Sequence, residues 1–397
     1  KHNKENDMKF VKTITLLMAF CVMAFGNNDR INALGGNAGF WPDDDANVTL
    51  FPAMVNSLDM VQVTGAGAGN GTAKVIWGEG TTWGFSFDGA SETSNNDMVN
   101  LMWGNGTYGT IFSFGMSSND DGLDICTLCD GTDGDGIDGA NTSNEIGVSF
   151  GMNMDFGEIG VNFATAGTDD GTDGDQFSNM KLGFNLRRSQ ELWLFDNMLV
   201  GFSMDNDTQG DSKDNDMNLS VDLFTSLPTG DGVNATFAMG FGYYNNTYNS
   251  GEGDDVVATV ISLPSVNLGI EADVTDWATV RFGMGHAYTV SGSLGDETYM
   301  GAESYKAEDG YYQMSDDGSM NWSADRPADC TDETCYAGEN WVKSSDFNWG
   351  FGLGFDYGSF TLDMVLENTN LFNDPVRYVT GRNNEALSSS ATLTWNF

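Results

Sequence analysis

Two copies of the acidic hexad Asp-Gly-Thr-Asp-Gly-Asp are the first candidates for chemistry in this 397-residue chain. Carboxylates at alternate positions, with glycines that permit tight turns, suit Ca²⁺, which takes about six to eight oxygen ligands. Solvated acidic loops that bind divalent ions loosely are the alternative, and in either case we expect no required cofactor. The candidate calcium ligands are Asp130, Asp133, Asp135, Asp138, Asp170, Asp173 and Asp175.

Four of the five cysteines lie outside the N-terminal apolar run and offer a second kind of chemistry: Cys126, Cys129, Cys330 and Cys335. If the chain is exported, the short spacing within each pair favours two local disulfides. Pairing between the two segments and a four-thiolate metal site are the alternatives, and oxidising surroundings disfavour the metal site.

The sequence offers few residues that could form a catalytic site. The only histidines are His2 and His286, and the alternation around His286 predicts that it faces away from any polar interior. A serine–histidine triad or a histidine zinc site therefore has too few residues to use. The glycine-rich stretch at residues 65–71 fits neither common phosphate-binding spacing. The sequence predicts no enzyme.

The charge balance excludes one large class of partners. The chain has 16 Lys and Arg against 58 Asp and Glu, which gives a formal net charge of -42. A nucleic-acid phosphate backbone requires a basic face, so nucleic acid is not an expected partner. Hydrophobic residues make up 40% of the chain, which is ample for an ordered protein.

The N-terminal region predicts export. Basic residues after Met8 lead into the apolar run 13–25, and Ala24-Phe25-Gly26 supplies a small-x-small cleavage pattern. We expect translation to start at Met8 and the mature chain to begin at about Asn27. The predicted organisation is a leader at 1–26, a periplasmic or plug segment at 27–56 and a β-domain at 57–397.

The rest of the chain alternates with a period of two. In the stretch around residue 148, Ile146, Val148 and Phe150 share one face, and Gly147 and Ser149 share the other. Such alternation predicts strands with one apolar face and one small, polar face.

Alternation alone also fits a soluble two-sheet β-sandwich. Connections between the predicted strands alternate in length, and this favours a barrel. Short turns near residues such as Gly78 and Gly358 alternate with long loops such as 117–144, 205–216 and 290–345. This predicts an all-β, transmembrane antiparallel up-and-down barrel of about 16 strands, with 14 as an alternative. Both acidic hexads fall in the long, outer loops.

Tryptophans near the short turns support the membrane interpretation, because aromatic residues gather at membrane interfaces. They are Trp77, Trp83, Trp103, Trp193, Trp277 and Trp395. The final stretch Leu393-Thr-Trp395-Asn-Phe397 resembles the C-terminal recognition strand of bacterial outer-membrane β-barrels. That resemblance implies that Trp395 and Phe397 form the signal read by the barrel assembly machinery.

Two further resemblances concern shorter segments. Ala33-Leu-Gly-Gly36, the acidic run 43–45 and Phe51-Pro-Ala53 are similar to the N-terminal segment of FadL-like transport barrels, although Phe51 stands where that family has Asn. This implies a plug and a transporter of hydrophobic molecules. The loop from Asp130 to Asp138 resembles the calcium-binding repeats of the thrombospondin type.

Charged residues on the predicted polar face would line the lumen: Lys181, Arg187, Asp222, Glu271, Arg281, Asp363 and Glu367. They could set a field across a water-filled pore, or pair with one another inside a closed barrel.

The leading functional hypothesis is a porin-like channel for passive diffusion of small solutes, favouring cations, in the outer membrane of a Gram-negative-type bacterium. The expected partners are outer-membrane lipid, the assembly machinery and small solutes. The alternatives are a FadL-like transporter of hydrophobic molecules and a non-transporting surface barrel or adhesin with calcium-binding loops.

Overall fold

The computed structural model describes thirteen stretches of the chain: residues 28–65, 71–88, 98–119, 141–169, 177–249, 256–292, 297–300, 303–306, 311–314, 320–323, 335–337, 342–366 and 388–397. Within them no helix is long and apolar enough to cross a membrane.

Sixteen antiparallel strands close into one barrel, so the predicted count of 16 is confirmed and the alternative of 14 is wrong. Each strand pairs with its neighbours in sequence order, and the last strand returns to pair with the first, from Met60 opposite Asn396 to Thr64 opposite Thr392. The barrel strands are β1 (Met60–Thr64), β2 (Thr72–Trp77), β3 (Thr82–Asp88), β4 (Met98–Gly104), β5 (Tyr108–Asn119), β6 (Asn141–Met154), β7 (Gly157–Asp169), β8 (Phe177–Leu192), β9 (Phe195–Gln209), β10 (Ser212–Ser226), β11 (Val233–Asn249), β12 (Val256–Thr275), β13 (Ala278–Gly292), β19 (Val342–Tyr357), β20 (Phe360–Leu366) and β21 (Ser388–Asn396).

Five short strands lie between β13 and β19, in the segment predicted as one long loop. They form a two-stranded and a three-stranded sheet separate from the barrel. These strands are β14 (Glu297–Met300), β15 (Glu303–Lys306), β16 (Tyr311–Met314), β17 (Met320–Ser323) and β18 (Cys335–Ala337).

The apolar faces of the strands point outward. On β6, Ile146, Val148 and Phe150 are between 41% and 46% exposed, whereas Glu145 is buried on the inner face. Apolar side chains exposed around a closed barrel are stable in lipid, and closure leaves no unpaired strand edge there. An even-stranded antiparallel barrel with this outward band is an outer-membrane barrel.

Tight turns occupy one end of the barrel, which we call the turn end. Trp77, Trp83 and Trp103 lie there, and each pairs across the sheet with the next. Both Trp77 and Trp83 are about half exposed, as an interfacial aromatic girdle requires.

One predicted outer loop is in fact paired sheet. Residues 205–216 continue β9 and β10 and leave only Gly210 and Asp211 as the turn between them. The reason is that the Asp–Asn alternation keeps a strand period, and inward-facing amides hydrogen-bond the carboxylates.

The long strand β12 contains an irregularity at the position of Pro264. Ser262 and Ser265 pair with Gly242 and Gly240 of β11, so Leu263 and Pro264 together lie opposite a single residue of β11. This bulge bends the barrel wall locally.

Residues 28–57, which we call the inner segment, precede β1 and lie inside the barrel. They form helix α1 (Asn28–Ala33), helix α2 (Asn47–Leu50) and two 3-10 turns at Ala38–Phe40 and Pro52–Ser57. Gly35 and Gly36 follow α1 with φ angles of +100° and +90°, a backbone conformation that ends helices and favours glycine.

Candidate functional site

Glycines on the inner wall make room for the inner segment. A side chain at Gly109 or Gly151 would collide with the backbone at Pro52, and one at Gly160 would overlap the carbonyl oxygen of Leu50. On the opposite wall a Cβ at Gly269 would lie 2.8 Å from the carbonyl oxygen of Leu34. Where these glycines lie, the small, polar face of the strands is therefore in contact with polypeptide, which is the closed arrangement among the alternatives left open by the sequence.

The inner segment lies toward the turn end of the lumen. The Nδ2 of Asn56 donates to the carbonyl oxygen of Tyr108 at 3.0 Å, and its Oδ1 accepts from the Gly106 N–H at 2.8 Å. Gly106 belongs to the tight turn between β4 and β5.

Apolar side chains of the inner segment form the main buried cluster of the described residues. Phe51, Val48 and Leu34 are almost fully buried. Apolar residues that the strands turn inward complete the same cluster: Met60, Ile76, Met102, Ile111, Leu199 and Phe224. Burial of large apolar side chains stabilises docking by roughly 1.5 to 3 kcal/mol each.

One ion-pair network joins the inner segment to three strands. Arg30 pairs with Asp44 within the segment and with Glu271 of β12, whose Oε2 lies 2.7 Å from its Nη2. Arg281 of β13 binds the same Glu271 at 2.8 Å and pairs with Asp363 of β20. Each buried charge thus has a partner of opposite sign, which is the condition for burying it.

Arg187 forms a second anchor on the facing wall. Its Nε donates to Glu158 at 2.6 Å, and its Nη1 donates to the Asn47 side chain at 2.9 Å and to the Gly39 carbonyl oxygen at 3.2 Å. The guanidinium also lies over the ring of Phe51, 4.5 Å from its centroid. A single cation therefore holds three separate parts of the inner segment.

A third group of contacts lies at the seam where the barrel closes. Asp45 accepts from Gln62 of β1 at 2.6 Å and lies 3.7 Å from the ammonium of Lys74. Asp29 accepts hydrogen bonds from Ser390 and Thr392 of β21, the latter at 2.6 Å.

The environment of Asp44 changes its acidity. Burial, the largest cause, and the neighbouring Asp45 carboxylate together raise the pKa of Asp44 from 3.8 to about 6, although Arg30 and the Ala46 N–H act in the opposite direction. The pKa of Arg30 is raised despite its burial, through its bonds to Glu271 and Asp44. Arg30 therefore remains a cation, and the docked segment favours protonation of Asp44 below about pH 6.

Four carboxylates face inward at the other end of the lumen. Asp205 and Asp207 of β9 pair across the sheet with Asp216 and Asp214 of β10. The cluster is bonded by side chains of the adjacent strands: Asn179, Lys181, Tyr244 and Asn246. Lys181 supplies one nearby cation, with its Nζ 3.2 Å from Asp205.

The seven charged residues predicted to line the lumen lie in different parts of the structure. Arg187, Glu271, Arg281 and Asp363 are buried and bonded as described, whereas Lys181 belongs to the outer carboxylate cluster. Asp222 faces inward beyond the inner segment. Glu367 lies outside the described residues.

Other predicted sites fall largely outside the described part of the chain. This holds for all seven candidate calcium ligands and for Cys126, Cys129 and Cys330, while Cys335 is described only as part of β18. Within the described residues no group of three or more Asp, Glu, His or Cys side chains is placed to hold a metal.

The aromatic residues of the predicted assembly signal, and His286, lie on the outer surface of the barrel. Trp395 stacks on Phe360 at 5.8 Å between ring centroids and lies 5.6 Å from Phe397. His286 faces outward beside Phe347, at 6.4 Å. The assembly signal of Trp395 and Phe397 stays a prediction.

Sequence reasoning missed most of the inner segment's own anchors. Arg30 is the single cation between residues 13 and 73, and this isolation in an acidic segment was the available signal. Lys74 and Glu158 share the inward parity of their strands, so they also could have been included.

No protein-family model and no curated protein matches this sequence. Among solved structures the chain is similar to the copper transporter OprC, with 8% identity and a TM-score of 0.41, covering 78% of this chain and 46% of that one. It is similar to the FrpB iron transporter of Neisseria meningitidis, with 7% identity, a TM-score of 0.38 and coverage of 79% and 46%. OmpT of Vibrio cholerae matches with 11% identity, a TM-score of 0.33 and coverage of 75% and 95%. The chain thus spans under half the length of the first two structures.

Proposed function

We propose that this chain is an outer-membrane transport barrel for small solutes, that it favours cations, and that the inner segment closes it at the turn end. The observation that carries the proposal is that four of the predicted lumen charges are buried in contacts with, or next to, this segment. A permanently open pore would leave these charges in water.

The chemistry of the anchors suits a closure that can open. Ion pairs and hydrogen bonds exchange for bonds to water at a modest net cost of about 0.5 to 1.5 kcal/mol each, so a polar contact can be remade. Polar anchors of that kind surround the apolar cluster and hold the inner segment to the barrel wall. Passive diffusion of solutes therefore follows displacement of the inner segment.

The preference for cations rests on charge. The formal net charge is -42, and Asp205, Asp207, Asp214 and Asp216 face the lumen at its outer end. A mouth of one sign concentrates ions of the opposite sign and repels those of the same sign.

Transport is proposed in preference to catalysis. Within the described residues the one histidine, His286, faces outward among aromatic rings and away from the carboxylates of the lumen. General acid–base work requires groups within hydrogen-bond reach of one another.

Transport of hydrophobic molecules is the second candidate. It is favoured by the position of the inner segment within the lumen, which is the position that the FadL-like resemblance implies. Uptake of an apolar fluorescent dye into vesicles, without ion conductance, would separate this candidate from the first.

Planar-bilayer recording tests the proposal. We expect the purified barrel to show infrequent conductance steps, and Glu271→Gln to open more often because it removes the carboxylate that Arg30 and Arg281 share. Glu79→Gln, in the exposed turn between β2 and β3, is the matched control. Absence of conductance in both variants would overturn the channel, and a wild-type barrel that is always open would overturn the closure.

A further inference from the structure

A cavity of about 220 Å³ lies in the lumen wall, beyond the inner segment as seen from the turn end. Small residues around the β12 bulge form it, because Gly242 of β11 and Ala287 of β13 leave space beside Ser262 and Ser265. About 15 Å³ of such volume accommodates one water molecule, so the cavity is large enough for a small organic molecule.

Among the described residues that line the cavity, Asp222 has the only charged side chain. Its neighbours across the sheet are Leu199 and Gly240, which offer no counter-charge. No hydrogen bond or ion pair within the described part of the chain ends on its carboxylate, whereas the inward carboxylates Asp205, Asp214 and Asp363 have such partners. A partly desolvated carboxylate without a partner favours the approach of a cation.

The rest of the lining combines oxygen atoms with apolar surface. Ser220, Ser262 and Ser265 supply hydroxyl groups, while Val260 and the ring of Tyr244 supply apolar and aromatic contact. Hydroxyl oxygens accept the N–H groups of an ammonium ion, and an aromatic face attracts its charge.

These features together define the class of ligand. We propose that the cavity around Asp222 binds a small organic ammonium ion that carries an apolar chain. One carboxylate is a poor site for Ca²⁺, which needs several oxygen ligands of which more than one is usually charged. A carboxylate-bearing solute would meet the like charge of Asp222.

The route to the cavity supports the same class. Asp216, in the outer carboxylate cluster, lies six residues before Asp222 on the inward face of β10, which corresponds to roughly 20 Å along the strand. A cation that enters at the mouth thus meets one carboxylate cluster and then the isolated carboxylate. The inference rests on the proposed transport function and names its substrate class.

Calorimetric titration of the detergent-purified barrel tests the site without requiring transport. We expect butylammonium to bind and butyrate not to bind, with Asp222→Asn weakening butylammonium binding at least tenfold and Asp222→Glu retaining most of it. Equal binding to wild type and Asp222→Asn, or binding of butyrate as tight as that of butylammonium, would overturn the proposal.

Two further measurements keep the result interpretable. Ala287→Leu should fill the cavity and weaken butylammonium binding while Asp222 keeps its charge; unchanged affinity would place the ligand elsewhere and overturn the proposal. Circular dichroism shows whether each variant retains its sheet. Binding at Asp222 without bilayer conductance would contradict only the proposed function, whereas conductance without this binding would contradict only the site.

Discussion

Two consecutive arginines on β8 have opposite environments. Arg187 faces inward and binds Glu158, Asn47 and Gly39, whereas Arg188 pairs across the sheet with Met198 on the outward side. The same residue type therefore anchors the inner segment at one position and belongs to the outer surface at the next.

Replacement of Arg187 should release the inner segment. Breaking a buried ion pair costs about 3 kcal/mol or more, because the partner charge is left unpaired. We expect Arg187→Gln to raise the rate at which proteinase K cleaves residues 28–57 by roughly a hundredfold, since cleavage of a transiently opened region follows its population. Arg188→Gln is the matched control, and equal effects of the two changes would show that Arg187 is not an anchor.

Asp44 should make docking depend on pH. Its pKa is about 6 when docked against 3.8 ordinarily, so the docked form holds a proton between those values that the undocked form has lost. This stabilisation is full below pH 4 and is lost as the pH rises through 6.

The expected result is roughly tenfold faster cleavage of residues 28–57 at pH 7 than at pH 5, after normalisation to an unstructured peptide of the same sequence. Asp44→Asn should remove the difference. The facing charged groups are Arg30 and Asp45, with Glu271 and Lys74 next to them. Faster cleavage at pH 5 in the wild type would contradict the sign.

At the residue scale, the sequence predicts which face of a strand a side chain occupies, but not which residue it binds. The alternation of apolar and polar residues is enough to predict that Arg187, Glu271 and Arg281 face the inside of the barrel. It could not show that Arg187 binds Asn47 from 140 residues away, because the inner segment has no period that reveals which side it presents. Partners brought together by closure of the whole sheet leave no local signal.

Glycine placement links the strands to the inner segment. Gly160 of β7 has no room for a Cβ beside Leu50, whereas a Cβ at Gly147 of β6 would lie 3.3 Å from the nearest atom, in the Ser113 side chain. Both glycines are on the inner face, so they form a matched pair.

We expect Gly160→Ala to displace the inner segment and to increase its proteolysis at least tenfold, while the barrel stays folded. The reason is steric, since the added methyl group overlaps backbone that cannot move as a side chain does. Gly147→Ala should leave cleavage within about twofold of wild type. If Gly160→Ala behaved as Gly147→Ala does, the glycine wall would have no role in docking.

At the element scale, the strand pattern was predictable and the extent of pairing was not. The bulge region of β12 is visible in the sequence as one overlong run interrupted by Pro264. The composition of residues 205–216 predicts a loop because Asp and Asn are common in loops, yet cross-strand amides such as Asn179 and Asn246 satisfy these carboxylates. Tertiary hydrogen bonds overrode local propensity there.

For the molecule as a whole, the excess of negative charge predicts ion selectivity that depends on salt. We expect reversal potentials near 0.1 M KCl to show preference for K⁺ over Cl⁻, and this preference to fall markedly at 1 M. The reason is that the screening length decreases from about 10 Å to about 3 Å.

The preference for K⁺ should fall when asparagine replaces the four mouth carboxylates, Asp205, Asp207, Asp214 and Asp216. The control is the double variant Asp231→Asn and Asp276→Asn at the turn end, which should have less effect. Selectivity that did not change with salt would indicate that these mouth charges do not control it.

The global architecture could be predicted because lipid imposes it. A sheet of alternating apolar and polar residues in the membrane must close to satisfy its backbone, and its apolar face must point to the lipid. An even strand count is the regularity of bacterial single-chain barrels. The interior is under no such rule. Water or polypeptide can fill a polar lumen equally well, so the strand pattern could not choose between them, and only the FadL-like resemblance implied a plug.

The bonds from Asp29 to Ser390 and Thr392 connect helix α1 to the last strand of the barrel. Since β21 follows the other fifteen barrel strands in the chain, these bonds form only after all of those strands have been translated. The inner segment therefore docks fully only on a complete barrel, because a barrel without β21 lacks part of the surface that holds the segment.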